Sequence, residues 1–173
     1  IARWSAYVEG YSDSDLLFEE RGKTFDQFLI GDKKTEVFSP ADARRVFETK
    51  LSEIIKLFSN AGIKVWLVEQ VPEQEGPTAY PRLMEKQGFS VSYYPTNLAT
   101  HKKRQRVANS ILQATEELGA TVVATQSLLF DAEEKPILFV DGRACYVDND
   151  HLSQWGVRKL LTSTLERLMK EVA

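Results

Sequence analysis

The sequence predicts an α/β fold of three layers, α/β/α, with helices on both faces of a mainly parallel sheet. Two observations carry that expectation. Apolar runs of strand length alternate with stretches of helical periodicity along the chain, the pattern of βαβ units with right-handed crossovers. One of those runs, Ile63 to Val68, is continuously apolar apart from Lys64, as expected of a parallel strand covered on both faces.

In order, Ile1 to Val8 reads as a strand. Glu9 to Pro40 is polar and broken by Gly10, Gly22 and Gly31, a long excursion in which Lys33-Lys34-Thr35 suits a hairpin turn between Phe25–Ile30 and Glu36–Phe38. Ser39-Pro40 begins a helix, Ser39 as N-cap and Pro40 at the first helical position. Phe47, Leu51, Ile54 and Phe58 give that helix its expected buried stripe, and Gly62 follows its end. After the Ile63–Val68 strand comes an irregular loop, Pro72 to Pro81. A short helix from Tyr80 to Lys86 and an extended piece from Phe89 to Tyr94 are next. A helix over Lys103 to Leu118 places Val107, Ile111, Thr115 and Leu118 inward, with Gly119 beyond its end. Thr121–Thr125 and Ile137–Val140 read as strands, with Ser127–Phe130 packing between them. Leu152 to Val172 is an amphipathic helix.

The 173 residues are one domain's worth, enough to bury a sizeable core. With 43% hydrophobic and 27% charged residues the composition is that of an ordinary globular chain, and a net charge of −3 argues against a dedicated nucleic-acid binder. No apolar run approaches the roughly 20 residues that span a bilayer. The chain opens at Ile1 on an apolar segment with no lead-in, and the expectation is a single domain over residues 1–173, truncated at its N-terminus. Cys145 is the only cysteine, so no intrachain disulfide and no four-cysteine zinc site can form, and it reads as a small buried residue. No Gly-rich phosphate loop and no metal-ligand spacing occurs, so neither cofactor nor metal is expected. His101-Lys102-Lys103-Arg104-Gln105-Arg106 is a basic run that either faces water at a helix start or meets an anionic glycan or lipid head group. Trp66 reads as core and Trp155 as a helix–sheet contact, or as the lining of an acyl or sugar pocket.

The chemistry concentrates in Asp148-Asn149-Asp150-His151-Leu152-Ser153. A carboxylate three residues ahead of a histidine orients an imidazole: Asp148 can hold the ring N–H, set the tautomer and stabilise the imidazolium. The same residues suit a plain helix cap with His151 on the surface. Asp150 reads as a capping residue and no more.

The run Ala144 to Val157, with its Tyr146, Asp148-x-x-His151-Leu152-Ser153 and Gly156, resembles the last block of the SGNH/GDSL hydrolase family. It is most like the version fused C-terminally to bacterial membrane O-acyltransferases of surface polysaccharides. Ala2 to Tyr7 resembles a strand segment of those domains, and Val65 to Pro72 a later strand and its exit. The resemblance implies a flavodoxin-like SGNH fold, of which this chain is the C-terminal portion. It implies a serine-dependent acyltransferase or esterase acting on acyl, most simply acetyl, esters of cell-envelope polysaccharide. His151 would be the base and Asp148 its orienter, with Arg3, Trp4 and Ser5 on the oxyanion or substrate side. The family's Gly-Asp-Ser is absent from these residues, and Gly10-Tyr11-Ser12-Asp13-Ser14 reads as loop. The nucleophile is therefore expected on a missing N-terminal segment. The implied partners are that segment, a transmembrane acyltransferase domain and an envelope glycan, at the periplasmic face of the inner membrane. The rival expectation is a non-catalytic glycan-binding or docking module of the same fold.

Overall fold

The computed structural model describes residues 4–9, 29–31, 39–74, 87–88 and 95–170. They fall into two compact units: the described parts of Ala2–Gln70 with Lys102–Ala124, and those of Val71–His101 with Thr125–Ala173.

The first unit contains the parallel strands. β1 (Val65–Val68) pairs in parallel with β2 (Ala120–Val123), Val65 opposite Ala120, and the amide of Glu69 extends the ladder to the Val123 carbonyl at 3.0 Å. Parallel neighbours need a long crossover, which here includes α3 (Leu98–Ala114) and a 3₁₀ turn (Thr115–Leu118). That turn ends at Gly119 with φ +96°, and a Cβ there would lie 2.7 Å from the Ser59 hydroxyl. The left-handed φ favours glycine, and the Ser59 hydroxyl would have to turn aside for any side chain. Val65, Trp66 and Leu67 are half-buried and Val68 is exposed, less cover than the apolar run predicts.

The sequence reading of Ile1–Val8 as a strand is corrected: Trp4–Glu9 is a helix, α1. Trp4 and Val8, four apart, share a helical face and meet Phe47 in one core; the Trp4 and Phe47 ring centroids are 5.5 Å apart. Packing outweighs the strand preference of Trp, Tyr and Val. The Ser39 cap of α2 (Pro40–Asn60) is as expected, its hydroxyl accepting from the Asp42 amide at 3.2 Å. The buried stripe is turned, however. Ala43, Val46, Phe47 and Ile55 are buried, whereas Ile54 and Phe58 are 48% and 40% exposed. With Ile54, Ile55, Leu57 and Phe58 all apolar, periodicity leaves two faces open, and contact with the core selects one.

In the second unit, α4 (Gln126–Leu129) is followed by a turn closed by a Phe130–Pro136 bridge. Ile137–Val140 is not a parallel strand. β3 (Phe139–Val140) and β4 (Arg143–Ala144) form an antiparallel hairpin over Asp141-Gly142, whose φ values of +48° and +76° are those of a tight primed turn. Asp-Gly between two apolar stretches was the signal for it. The C-terminal helix starts at Gln154 instead of Leu152: α5 (Gln154–Gly156) passes through a π-helical turn (Val157–Leu161) into α6 (Thr162–Lys170). Val71, Leu129, Phe130, Cys145, Tyr146 and Leu152 are its buried core.

The fold is thus α/β, with a parallel pair and helices. No helix among the described residues is long and apolar enough to cross a membrane. The expected helix at Tyr80–Lys86, the extended piece at Phe89–Tyr94, the Lys33–Thr35 turn and the Gly10–Ser14 loop lie outside the described residues.

Candidate functional site

The loop Val147–His151 is held at both ends. Tyr146 and Leu152, 1% and 8% exposed, are anchored in the core and bridged to each other. The Val147 amide donates to the His151 carbonyl at 2.9 Å, closing the loop, and the Gln74 amide donates to the Asn149 carbonyl at 2.7 Å. Gln74 is itself buried and accepts from the Thr96 amide. A short loop clamped this way presents its side chains in a set direction.

Inside it Asp148 turns back on the chain. Its Oδ1 accepts from the amides of Asp150 (3.0 Å) and His151 (2.7 Å), and its Oδ2 lies 2.9 Å from His151 Nδ1. The helix is capped by another residue. Ser153 has extended backbone, and its hydroxyl accepts from the Gly156 amide at 3.0 Å and donates to the Ala144 carbonyl at 2.8 Å. The plain capping reading of Asp148 thus gives way: its carboxylate serves the loop and the imidazole. With Nδ1 between carboxylates, the ring takes the Nδ1–H tautomer, and Nε2 has no hydrogen-bond partner among the described residues. His151 is half-exposed, so Nε2 can reach a proton on an incoming group.

Burial tends to raise the Asp148 carboxyl. The two backbone amides, with the His151 side chain, outweigh it and hold the group below its ordinary value. Asp150 departs from the capping role read for it. Its side chain is 5% exposed, and Oδ1 lies 3.0 Å from the same Nδ1. One oxygen or nitrogen from each of Asp148, Asp150 and His151 falls within 4.8 Å of the others, close enough to share a cation. Three adjacent donors from one loop do not by themselves make a metal centre, and hydrogen bonds already account for their approach.

Arg3 lies outside the described residues. Trp4 Nε1 donates to the Val68 carbonyl at 3.0 Å. Ser5 is 2% exposed; its amide and hydroxyl face Gln70 Oε1 at 3.4 and 3.5 Å, and its hydroxyl accepts from Gln105 Nε2 at 3.2 Å. The donors of Trp4 and Ser5 are engaged inside their unit. Cys145 is fully buried and burial pushes its thiol up, which favours the neutral form over a reactive thiolate. Trp155 ties the helix to the hairpin: Nε1 donates to the Val140 carbonyl at 2.9 Å, and Arg143 and Lys159 lie 4.6 and 4.7 Å from the ring centroid.

The basic run divides. His101 is buried, its ring 5.7 Å from that of Phe130, while Lys102, Lys103 and Arg106 line an open cavity of about 680 Å³ with Glu9. Burial raises Glu9 against the pull of Arg44, 2.9 Å away, and Arg106.

No curated protein matches the sequence. Among solved structures, the lipopolysaccharide acetyltransferase periplasmic domain of Salmonella ser. Paratyphi A is similar, with a TM-score of 0.53 and 13% identity. The match covers 73% of this chain and 50% of that one, so this chain spans half the length of its structural relative. At that identity the likeness is one of fold. A family model described as an SGNH domain fused to AT3 domains matches residues 1–163. The chain therefore belongs to the SGNH domain family, of the kind fused to AT3 domains.

Proposed function

We propose that this chain supplies the general base and its orienter to an acyl-transfer centre acting on acyl esters of a bacterial envelope polysaccharide, acetyl being the simplest group. The observation that carries the reading is the Asp148–His151 pair, with Nδ1 held and Nε2 open. Family membership supports a membrane acyltransferase as the parent, and the likeness to a periplasmic lipopolysaccharide acetyltransferase domain supports a periplasmic setting and a glycan substrate. The nucleophile is a serine on polypeptide outside these 173 residues. Its hydroxyl attacks the acyl carbonyl as His151 Nε2 takes the proton, and the tetrahedral intermediate collapses to an acyl-serine. The departing oxygen takes the proton back from His151. An acceptor hydroxyl or water then attacks by the same steps in reverse. Asp148 stabilises the imidazolium between them. The oxyanion is held by donors on the same side as the serine; this chain has no asparagine block there, and Arg3 is the substitute its sequence offers.

The test is ester turnover and acyl transfer by the full-length protein. His151→Ala should lower the rate roughly 10²–10⁴-fold, the scale of general-base assistance. Asp148→Asn should also cost heavily, because an amide favours the wrong tautomer and carries no charge. Wild-type turnover in both variants would refute the reading and leave a glycan-binding or docking module.

A further inference from the structure

We infer that Asp150 is a second positioning residue for His151, a buried carboxylate that holds Nδ1 together with Asp148. The inference rests on the reading of His151 as the base.

The two carboxylates have different surroundings. Asp148 is half-exposed, 2.9 Å from Nδ1, whereas Asp150, at 3.0 Å, is 5% exposed. A charge pair at the surface is screened by water and restrains little. A carboxylate withdrawn from water interacts more strongly with a nearby charge and cannot swing away into solvent. The backbone fixes Asp150 from both sides. Its amide donates to Asp148 Oδ1, and the preceding Asn149 carbonyl is held by the Gln74 amide. The following residues, His151 and Leu152, are tied to Val147 and Tyr146. Capping does not explain it, since Ser153 caps the helix. A buried carboxylate is costly unless paired, and the imidazole is one partner in ion-pair range. Among the described residues, Asp148 and Asp150 are the charged groups within that range of His151. Nδ1 is thus hydrogen-bonded to Asp148 and in ion-pair contact with Asp150, so an imidazolium formed during acyl transfer has both carboxylates beside it. Asp148 meets the backbone as well as the ring; Asp150 supplies the part of the restraint that water cannot replace.

The experiment follows the pH dependence of His151 labelling by diethylpyrocarbonate in the full-length protein, read by peptide mass spectrometry with EDTA present to exclude a shared cation. The reagent acylates the neutral imidazole, so the half-point of labelling reports proton affinity whether or not an ester is turned over. Asp150→Asn keeps the size and an acceptor oxygen but removes the charge. Its half-point should fall by about one pH unit, the scale of a lost opposite charge at contact distance. The acid limb of kcat/KM should move in the same direction. The Asp148→Asn/Asp150→Asn double variant should fall further than either single one. A half-point unchanged in Asp150→Asn would overturn the proposal. Should Asp150→Asn not fold, Asp150→Ser is read in its place, and a half-point unchanged there overturns the proposal. Failure of the catalytic reading looks different: His151→Ala would keep its turnover while the labelling shifts persist.

Discussion

Asp148 faces the imidazole with one edge and the chain's own amides with the other, so its ionised form belongs to the folded loop. Because folding holds this carboxyl below its ordinary value, the stability it contributes is present above the unfolded group's pKa. It is lost as the pH falls through the lower, folded value. Thermal melts of wild type and Asp148→Asn should therefore differ near neutrality and converge as the pH drops below the carboxylate range. A gap that widens in acid would mean that the carboxyl is raised, not lowered. The geometry of this residue was legible in the sequence because both partners lie within three positions of it. That of Asp150 was not. Whether its carboxylate turns inward depends on Gln74, distant in sequence, holding the Asn149 carbonyl.

At the scale of elements, the site depends on how closely α5 approaches the strand-like stretch at Cys145. The Ser153 amide donates to the Cys145 carbonyl at 2.8 Å, and a Cβ on Gly156 would strike that carbonyl oxygen and lie 2.9 Å from the Cys145 C and Cα. These are backbone atoms that cannot rotate aside. Gly156→Ala should cost about 1–3 kcal/mol, the range of overpacking, measured by urea unfolding. It should also lower turnover, because the helix start and the His151 loop share Leu152 and Ser153. Full stability in Gly156→Ala would show that α5 can move off Cys145. Gly156 was visible in the sequence as part of the family-like block, but its reason was not, since the neighbour it must clear is eleven positions earlier.

For the molecule as a whole, each of the two units has its own core, and only one of these cores holds the His151 loop. Leu112 and Leu129 are both fully buried, one in each. Either Leu→Ala change should cost about 2–5 kcal/mol. Hydrogen exchange should separate them. Leu129→Ala should speed exchange at the Val147 amide, which closes the loop onto the His151 carbonyl, and Leu112→Ala should leave it slow while the protein stays folded. Equal acceleration in both would mean that the loop draws its rigidity from the whole chain.

The sequence by itself determined the α/β class, the Ser39 cap, the place of the long helices and the Asp148–His151 pair. Each of these is written in contacts between residues a turn or less apart, or in a periodicity repeated over many positions. Tertiary structure decided the rest. Trp4–Glu9 is helical because Trp4 and Val8 meet Phe47. The face of α2 that is buried follows from the core it meets, where Ile54 and Ile55 are equivalent on composition. Ile137–Val140 became half of a hairpin, although its apolar run alone suits either kind of strand. Asp150 came to share the His151 nitrogen because the loop is clamped from outside. In each case several local arrangements have nearly the same energy, and burial against residues distant in sequence selects one of them.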